Sequence, residues 1–241
     1  MSYIYIKKQP RQSLKIGKFK KEIAAILLSI GLFTFSLAIF PIVKYQFEYS
    51  IKFKQIINPL SSKHYNNPGN ILGEMTTDYT QISNWFVNSP DTQIQGSIIS
   101  NNQTDTTYYL SIPKLKIKDA VVAVNSMDLK KSLIQYPKTA LPGQLGNSVI
   151  FGHSVLPQFF NSKSYLTIFS TLYRLKVGDE IQVTLSNVDY KYKVEEMFEV
   201  QPTELSVLDQ RFDGKYLTLI TCSPPGTTLR RLVVKAVIED N

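Results

Sequence analysis

A run of 21 residues without a single charge, Ile23 to Val43, constrains this chain more than any other feature of its sequence. An α-helix of that length is about 30 Å long, which matches the hydrocarbon thickness of a bilayer. The run is longer than the apolar part of a signal peptide, and no small-residue cleavage motif follows it. We therefore predict a transmembrane helix at residues 23–43 rather than a buried helix of a globular domain.

Basic residues before this run indicate how the helix is oriented. Seven Lys and Arg residues lie within the first 21 positions and account for most of the net charge of +8. Because positive residues favour the cytoplasmic side, we expect a basic cytoplasmic tail at residues 1–22 and everything after Lys44 outside the cell. The tail lacks the interleaved aromatic residues of a nucleic-acid surface, so no nucleic-acid partner is expected. The predicted location is the cell membrane, as a single-pass protein.

The rest of the chain divides into two regions by composition. Residues 44–107 contain prolines and a polar, turn-rich end, and we expect a membrane-proximal region of helix and linker there. In residues 108–241 short β-rich runs alternate with turns, which is typical of a closed antiparallel barrel or a sandwich. Two helical stretches are predicted to interrupt this mainly β domain, near residues 127–134 and 165–175.

Cysteine and histidine are scarce: the chain has one cysteine, Cys222, and two histidines, His64 and His153. A single cysteine excludes an internal disulfide, and no metal-binding His or Cys spacing occurs, so we expect no metal and no other cofactor. A lone cysteine with a distant histidine outside the cytoplasm is a candidate nucleophile with its base. Free cysteine is also often a small core residue, so the residue types alone leave both interpretations open.

The local sequence around these residues favours the catalytic interpretation. Cys222 ends an apolar strand and precedes a turn, so we expect its thiol beside a loop where a substrate can reach it. His153 also ends a predicted strand. Arg231 opens the strand that follows the turn, so its guanidinium can return to the neighbourhood of the thiol.

The motifs at these positions resemble those of the sortase family. Thr218-Leu219-Ile220-Thr221-Cys222, with an arginine nine residues on, is similar to the TLxTC…R signature of sortases, and Phe151-Gly152-His153-Ser154 is similar to the Gly-His element. The segments Tyr136 to Asn147 and Lys176 to Ile181 also resemble sortase segments. The resemblance covers residues 108–238. The turn after the cysteine and the Arg-Leu-Val-Val run most resemble the pilin-polymerising class, class C.

This resemblance implies a fold and a reaction. The fold is a closed β-barrel of about eight strands with short helices, preceded by the single transmembrane helix. The protein is then a membrane-anchored cysteine transpeptidase that cleaves a Leu-Pro-x-Thr-Gly-like sorting signal at the C-terminus of secreted proteins. A thioester forms on Cys222, and an amine from a cell-wall precursor or a pilin lysine resolves it. His153 moves the protons, and Arg231 binds the oxyanion or the substrate carbonyls.

The other histidine, His64, and the neighbouring arginine, Arg230, are the alternatives to the residues assigned here. His64 lies in a polar stretch and is expected to have only a surface role. Arg230 competes with Arg231, but the spacing to Cys222 favours Arg231. Because the cysteine ends a strand and lacks a helix dipole, we expect a thiol pKa not far below the free value of ~8.5.

Two alternative functions remain open at this point. With water in place of the amine, the same site makes a processing endopeptidase, which is also a thiol protease. A non-catalytic, membrane-tethered adhesion or assembly module on the same barrel would leave the coincidence of His, Cys and Arg unexplained.

Overall fold

The computed structural model describes residues 18–53, 78–82, 85–86, 106–124 and 126–239. The chain forms two compact units, Met1–Phe47 and Glu48–Asn241. Most of the predicted membrane-proximal region, residues 54–77 and 87–105, lies outside the described residues, as do His64 and residues 1–17.

A single long helix, α1 (Lys18–Lys52), contains the charge-free run. Its segment Lys21–Phe40 is long and apolar enough to cross a membrane, and none of that segment is buried within the protein. Large apolar side chains, such as Leu28 and Phe33, are exposed around the helix. A helical segment that is apolar on all sides and unburied over its whole length suits a lipid environment. The predicted N-terminal apolar helix is thus confirmed, and α1 continues to Lys52.

The second unit contains a closed β-barrel of eight strands. The strands follow one another around it in the order β1-β2-β3-β4-β7-β8-β6-β5, and β5 pairs with β1 to close the barrel. Their bounds are β1 (Thr107–Ile112), β2 (Ile117–Val124), β3 (Leu133–Gln135), β4 (Gly146–Phe151), β5 (Glu180–Leu185), β6 (Val188–Val200), β7 (Lys215–Ser223) and β8 (Arg230–Ile238).

The predicted barrel is confirmed, but its expected antiparallel pattern is wrong at two places. Strands β2 and β3 are parallel, and so are β4 and β7. A parallel pair needs a long crossover connection, and the chain between β4 and β7 contains β5 and β6. The parallel β4–β7 pair brings the C-terminal ends of both strands to the same end of the barrel.

The two predicted helical stretches are not α-helices. Residues 127–134 form turns that lead into β3, and residues 165–175 form turns that end in one turn of 3-10 helix at Leu172–Arg174. All three residues of β3 are buried, so the strand shows no alternation of polar and apolar residues. Periodicity cannot distinguish such a short apolar run from a piece of helix.

One cluster of buried side chains lies on the side of β7 that carries Cys222. Successive residues of a strand face opposite sides of a sheet, so Ile220 and Cys222 share one side. They pack with Phe151 of β4 and with residues that precede the barrel in sequence: Ile82, Trp85 and Phe86. We call the described residues 78–82, 85 and 86 the covering segment.

Candidate active site

Cys222 and Arg231 lie directly opposite each other on neighbouring strands. In the antiparallel β7–β8 pair, Cys222 is the register partner of Arg231. Both are buried, with 4% and 1% of their surfaces exposed. Arg230 is paired with Ser223 and forms an ion pair with Glu199, at 3.0 Å between nitrogen and oxygen. Because neighbours in a strand face opposite sides, only Arg231 faces the side of the thiol.

His153 reaches the same place from the end of β4. Phe151 of β4 is the parallel register partner of Ile220, so two further residues along each chain lead to His153 and Cys222. The His153 carbonyl accepts a hydrogen bond from the backbone N–H of Phe169, at 3.0 Å. Its Nε2 is buried and has no hydrogen-bond partner among the described residues. The three residues predicted from sequence are therefore brought to one end of the barrel.

Hydrogen bonds from the neighbours of His153 and Cys222 join the ends of the two strands. The Thr221 hydroxyl donates to the Gly152 carbonyl at 2.7 Å, and the Ser154 hydroxyl donates to the Cys222 carbonyl at 2.8 Å. A Cβ at position 152 would lie 2.5 Å from the ring of Phe169, so only glycine fits there. These contacts fix the spacing between the histidine loop and the cysteine strand.

The Arg231 guanidinium makes four hydrogen bonds to backbone carbonyl oxygens and one to the side chain of Tyr79. Its Nε and Nη2 donate to the Trp85 carbonyl at 3.0 and 2.6 Å, and Nη1 donates to the Thr228 and Arg230 carbonyls at 3.0 Å each. Burial lowers its pKa, and Cys222 and Tyr79 oppose that shift. Arginine nevertheless stays charged in proteins, so a fixed positive charge lies beside the thiol.

Trp85 of the covering segment lies against both Arg231 and His153 and belongs to the same buried cluster as Cys222. It is fully buried, its ring lies 5.3 Å from the Arg231 guanidinium carbon, and it approaches the His153 ring to 6.0 Å between centroids. Its Nε1 donates to the Tyr79 carbonyl at 2.7 Å, which closes the segment on itself. The expectation that a substrate can reach the thiol directly is wrong for this conformation, because Trp85 and its neighbours cover Cys222. Sequence reasoning missed this role, although Trp85 is the only tryptophan in the chain.

The covered site disfavours charge on both reacting groups. Burial raises the pKa of the Cys222 thiol, and the charge of Arg231 only opposes that shift. Burial also lowers the pKa of His153, with weaker effects from nearby charged groups, which are Asp78, Asp128 and Lys130. A neutral thiol beside a neutral imidazole is therefore favoured at neutral pH. The expected thiol pKa not far below ~8.5 is wrong in direction, because the burial of Cys222 depends on residues far from it in sequence.

The side of the sheet that carries Cys222 leads to a cavity of about 460 Å³ near the start of β7. Thr218 lines it, four residues before Cys222, so the cavity begins about 13 Å along the strand from the cysteine. Gln210 fastens the outer loop of the cavity to β4, since it exchanges two hydrogen bonds of 3.0 Å with the backbone of Asn147. The charged residues that line the cavity are Glu195, Glu196, Asp209, Arg211 and Lys235.

Known proteins resemble this chain in sequence and in structure. The sortase domain model matches residues 110–239, more than half of the chain. Sortase A of Listeria monocytogenes is 30% identical, over 59% of this chain and 72% of that protein. A Clostridium perfringens sortase D5 transpeptidase superposes with a TM-score of 0.50 and 27% identity, over 64% of this chain and 91% of that chain. Sortase C-1 from Actinomyces oris superposes with a TM-score of 0.51 and 26% identity, over 62% of this chain and 82% of that chain.

The closed eight-stranded barrel and the matched domain define a sortase-type protein. The chain belongs to the sortase family. The matched proteins carry the names sortase A, C and D, so family membership does not depend on the class C resemblance around Cys222.

Proposed function

We propose that this protein is a membrane-anchored cysteine transpeptidase that joins secreted proteins to an amine through a thioester. The observation that carries the proposal is the convergence of Cys222, His153 and Arg231 at one end of the barrel. The proposed substrates are secreted proteins with a C-terminal, Leu-Pro-x-Thr-Gly-like sorting signal. The proposed acceptor is an amine of a cell-wall precursor or of a pilin lysine.

In the first half-reaction, His153 takes the proton of the Cys222 thiol, and the thiolate attacks the scissile carbonyl carbon. The Arg231 guanidinium stabilises the oxyanion that forms, because its donors are directed at carbonyl-type oxygens at this end of the barrel. The C–N bond then breaks, and the imidazolium of His153 gives its proton to the departing amine. The carbonyl carbon stays bound to sulfur as a thioester.

In the second half-reaction, the neutral His153 removes a proton from the incoming amine as its nitrogen attacks the thioester carbonyl. The C–S bond breaks, a new amide forms, and the sulfur leaves as a thiolate that recovers its proton from His153. The same imidazole therefore acts as base and as acid in both halves. The hydrogen bonds from Thr221 to Gly152 and from Ser154 to Cys222 hold the residues on both sides of His153 against β7.

The covering segment must leave before a substrate can bind. The Trp85 carbonyl occupies two donors of Arg231, and its ring fills space between Arg231 and His153. A substrate carbonyl that replaces the Trp85 carbonyl would keep the guanidinium hydrogen-bonded, so the exchange costs little in hydrogen bonds. An extended signal peptide would then lie along the apolar side of β7, with its end near the cavity beyond Thr218.

Membrane anchoring is the second part of the proposal. The exposed apolar surface of α1 and the basic residues before it support a single pass with the barrel outside the cell. Protease added to intact cells is expected to digest the barrel domain. Protection of that domain until the cells are lysed would rule out this orientation.

An amine-dependence experiment distinguishes transpeptidase from endopeptidase. The full chain in detergent is incubated with a Leu-Pro-x-Thr-Gly peptide, with and without a short glycine peptide or a lysine derivative as acceptor. We expect an amide product whose yield rises with acceptor concentration at the expense of hydrolysis. A product that is always the free acid, whatever amine is supplied, would favour the processing endopeptidase. No cleavage at all would favour the non-catalytic module.

A further inference from the structure

A buried carboxylate, Glu199, lies on the opposite side of the sheet from the thiol and has no part in the proposed reaction. It belongs to β6, beside β8, and only 1% of its side chain is exposed. A buried carboxylate is costly unless a positive charge and hydrogen bonds compensate it. The groups that contact Glu199 therefore indicate what role this buried carboxylate has in the fold.

The partners of Glu199 stand at the base of the turn that joins the cysteine strand to the arginine strand. Glu199 Oε2 accepts from Nη1 of Arg230 at 3.0 Å, and Oε1 accepts from the hydroxyl of Ser223. Ser223 and Arg230 are register partners, immediately next to the Cys222–Arg231 pair. One carboxylate thus holds both sides of the turn, each at a single residue's distance from a reactive side chain.

A third partner comes from before the barrel. The hydroxyl of Tyr49, in the last turn of α1, contacts both Glu199 Oε1 and Ser223 Oγ. Tyr49 is buried, and its ring packs against Phe53 and Tyr173 at 4.9 and 5.9 Å between centroids. The carboxylate is therefore compensated by one cation and two hydroxyls, and it is closed off from water.

We propose that Glu199 is a positioning residue, which holds Ser223 and Arg230 together so that Cys222 and Arg231 stay face to face during catalysis. The proposal rests on the transpeptidase function proposed above. Tyr49 completes the arrangement, so the full chain, with the end of α1, is the form in which it operates. We call Glu199, Arg230, Ser223 and Tyr49 the turn clamp.

The clamp also affects the charge that the thiol experiences. Around Cys222 the charged and titratable groups are Arg231 from β8, His153 from the loop after β4, and Tyr79 from the covering segment. Asp78, Asp128 and Lys130 act on the histidine. Behind the sheet, Glu199 neutralises Arg230. Glu199→Gln leaves Arg230 uncompensated, and this extra positive charge favours the thiolate. A purely structural role of Glu199 predicts no such electrostatic effect.

The test combines turnover with the pH profile of thiol alkylation. Cys222 is the only cysteine, so iodoacetamide reports on this thiol alone. In the full chain, Glu199→Gln is expected to lower kcat/KM by about ten- to a hundredfold, the loss typical of a small misplacement of reacting groups. Its alkylation profile should shift to lower pH. Glu199→Gln combined with Arg230→Gln should restore the wild-type profile. Asp189→Asn, an exposed change on the same strand and away from the cavity, should alter neither quantity.

Milder variants keep the test decisive if Glu199→Gln does not fold. Ser223→Ala and Tyr49→Phe each remove one hydroxyl and retain the ion pair, so we expect reduced kcat with unchanged KM and an unchanged profile. Wild-type kinetics in both variants would overturn the clamp. It would also be overturned if Glu199→Gln lost activity only in proportion to its loss of folded protein and its alkylation profile did not shift. If the wild type itself shows no turnover while the profile still shifts, the proposed function fails and the clamp stands.

Discussion

The barrel end and the covering segment contribute to the same buried cluster, but they are held in place very differently. Strands β7 and β8 are joined by eight consecutive register pairs, from Tyr216 to Ser223 on β7. In the described part of the covering segment, backbone pairing consists of one isolated bridge, Gln81 to Asp128, with two neighbouring bonds from Leu129 and Ile82. The reactive residues belong to the continuous sheet, and Trp85 belongs to the loosely paired part.

This difference indicates that the barrel end and the covering segment have separate roles, one in the reaction and one in access to the thiol. Parts of a protein that have few backbone hydrogen bonds open locally at a lower free energy than the sheet to which they are attached. A rigid barrel end can keep three side chains in register while a separate segment moves. We therefore expect changes in the barrel end to abolish the reaction, and changes in the covering segment to alter access to the thiol.

The largest expected effect is that of His153→Ala. Loss of the acid–base group should lower kcat/KM for a signal peptide by about 10²- to 10⁴-fold. His64→Ala is the matched control and should keep near wild-type kinetics. If His153→Ala retains activity while His64→Ala is inactive, the barrel end does not carry the chemistry.

Arg231→Lys is expected to rank next. It retains the charge but loses the planar set of donors, so most of the activity should disappear although the protein stays folded and the thiol stays covered. Arg230→Lys retains an ion pair with Glu199 and should be mild. Kinetics of the two variants on the same peptide decide between the arginines. A severe Arg230→Lys with a near-normal Arg231→Lys would reverse the assignment.

Trp85→Ala tests the covering segment through pH dependence. Burial raises the pKa of the Cys222 thiol, so partial uncovering should lower it, and the thiolate should appear at lower pH than in the wild type. Alkylation by iodoacetamide should therefore be faster at neutral pH, with its midpoint shifted downward. An unchanged profile would mean that the segment does not control access.

The smallest expected effect concerns stability and compares Trp85→Ala with Phe151→Ala. Their rings touch, with centroids 5.2 Å apart, so both changes remove an aromatic side chain from one cluster. Phe151→Ala, in β4, should reduce the free energy of unfolding by about 3–5 kcal/mol. Trp85→Ala should reduce it clearly less, because its segment opens separately. Equal losses by urea unfolding would show that segment and barrel form one cooperative unit.

Much of the fold could be predicted from local sequence. The charge-free run predicted the apolar part of α1, and the β-rich runs between turns predicted a mainly β domain from residue 108 onward. The short strand β3 was missed because its three residues are all buried and show no period. Parallel pairing of β4 with β7 could not be predicted, because it depends on how the chain between them crosses over rather than on the composition of either strand.

The candidate site was predictable to a similar degree. Rare residue types and motif spacing selected His153, Cys222 and Arg231, and register explains why Arg231 rather than Arg230 faces the thiol. The burial of the site was not predictable, because Trp85 lies far from the motifs in sequence. Its hydrogen bonds with Arg231 use a backbone carbonyl, which every residue possesses and which leaves no trace in the sequence.

The central claim is that Cys222 forms a thioester with the substrate, and intact-mass measurement of the full chain tests it most directly. With a signal peptide and no added amine, the wild type should gain the mass of the peptide's N-terminal fragment, and Cys222→Ala should gain nothing while remaining folded. Addition of an amine should remove the adduct and yield the amide. An adduct of the same mass on Cys222→Ala, or normal turnover by that variant, would contradict the account.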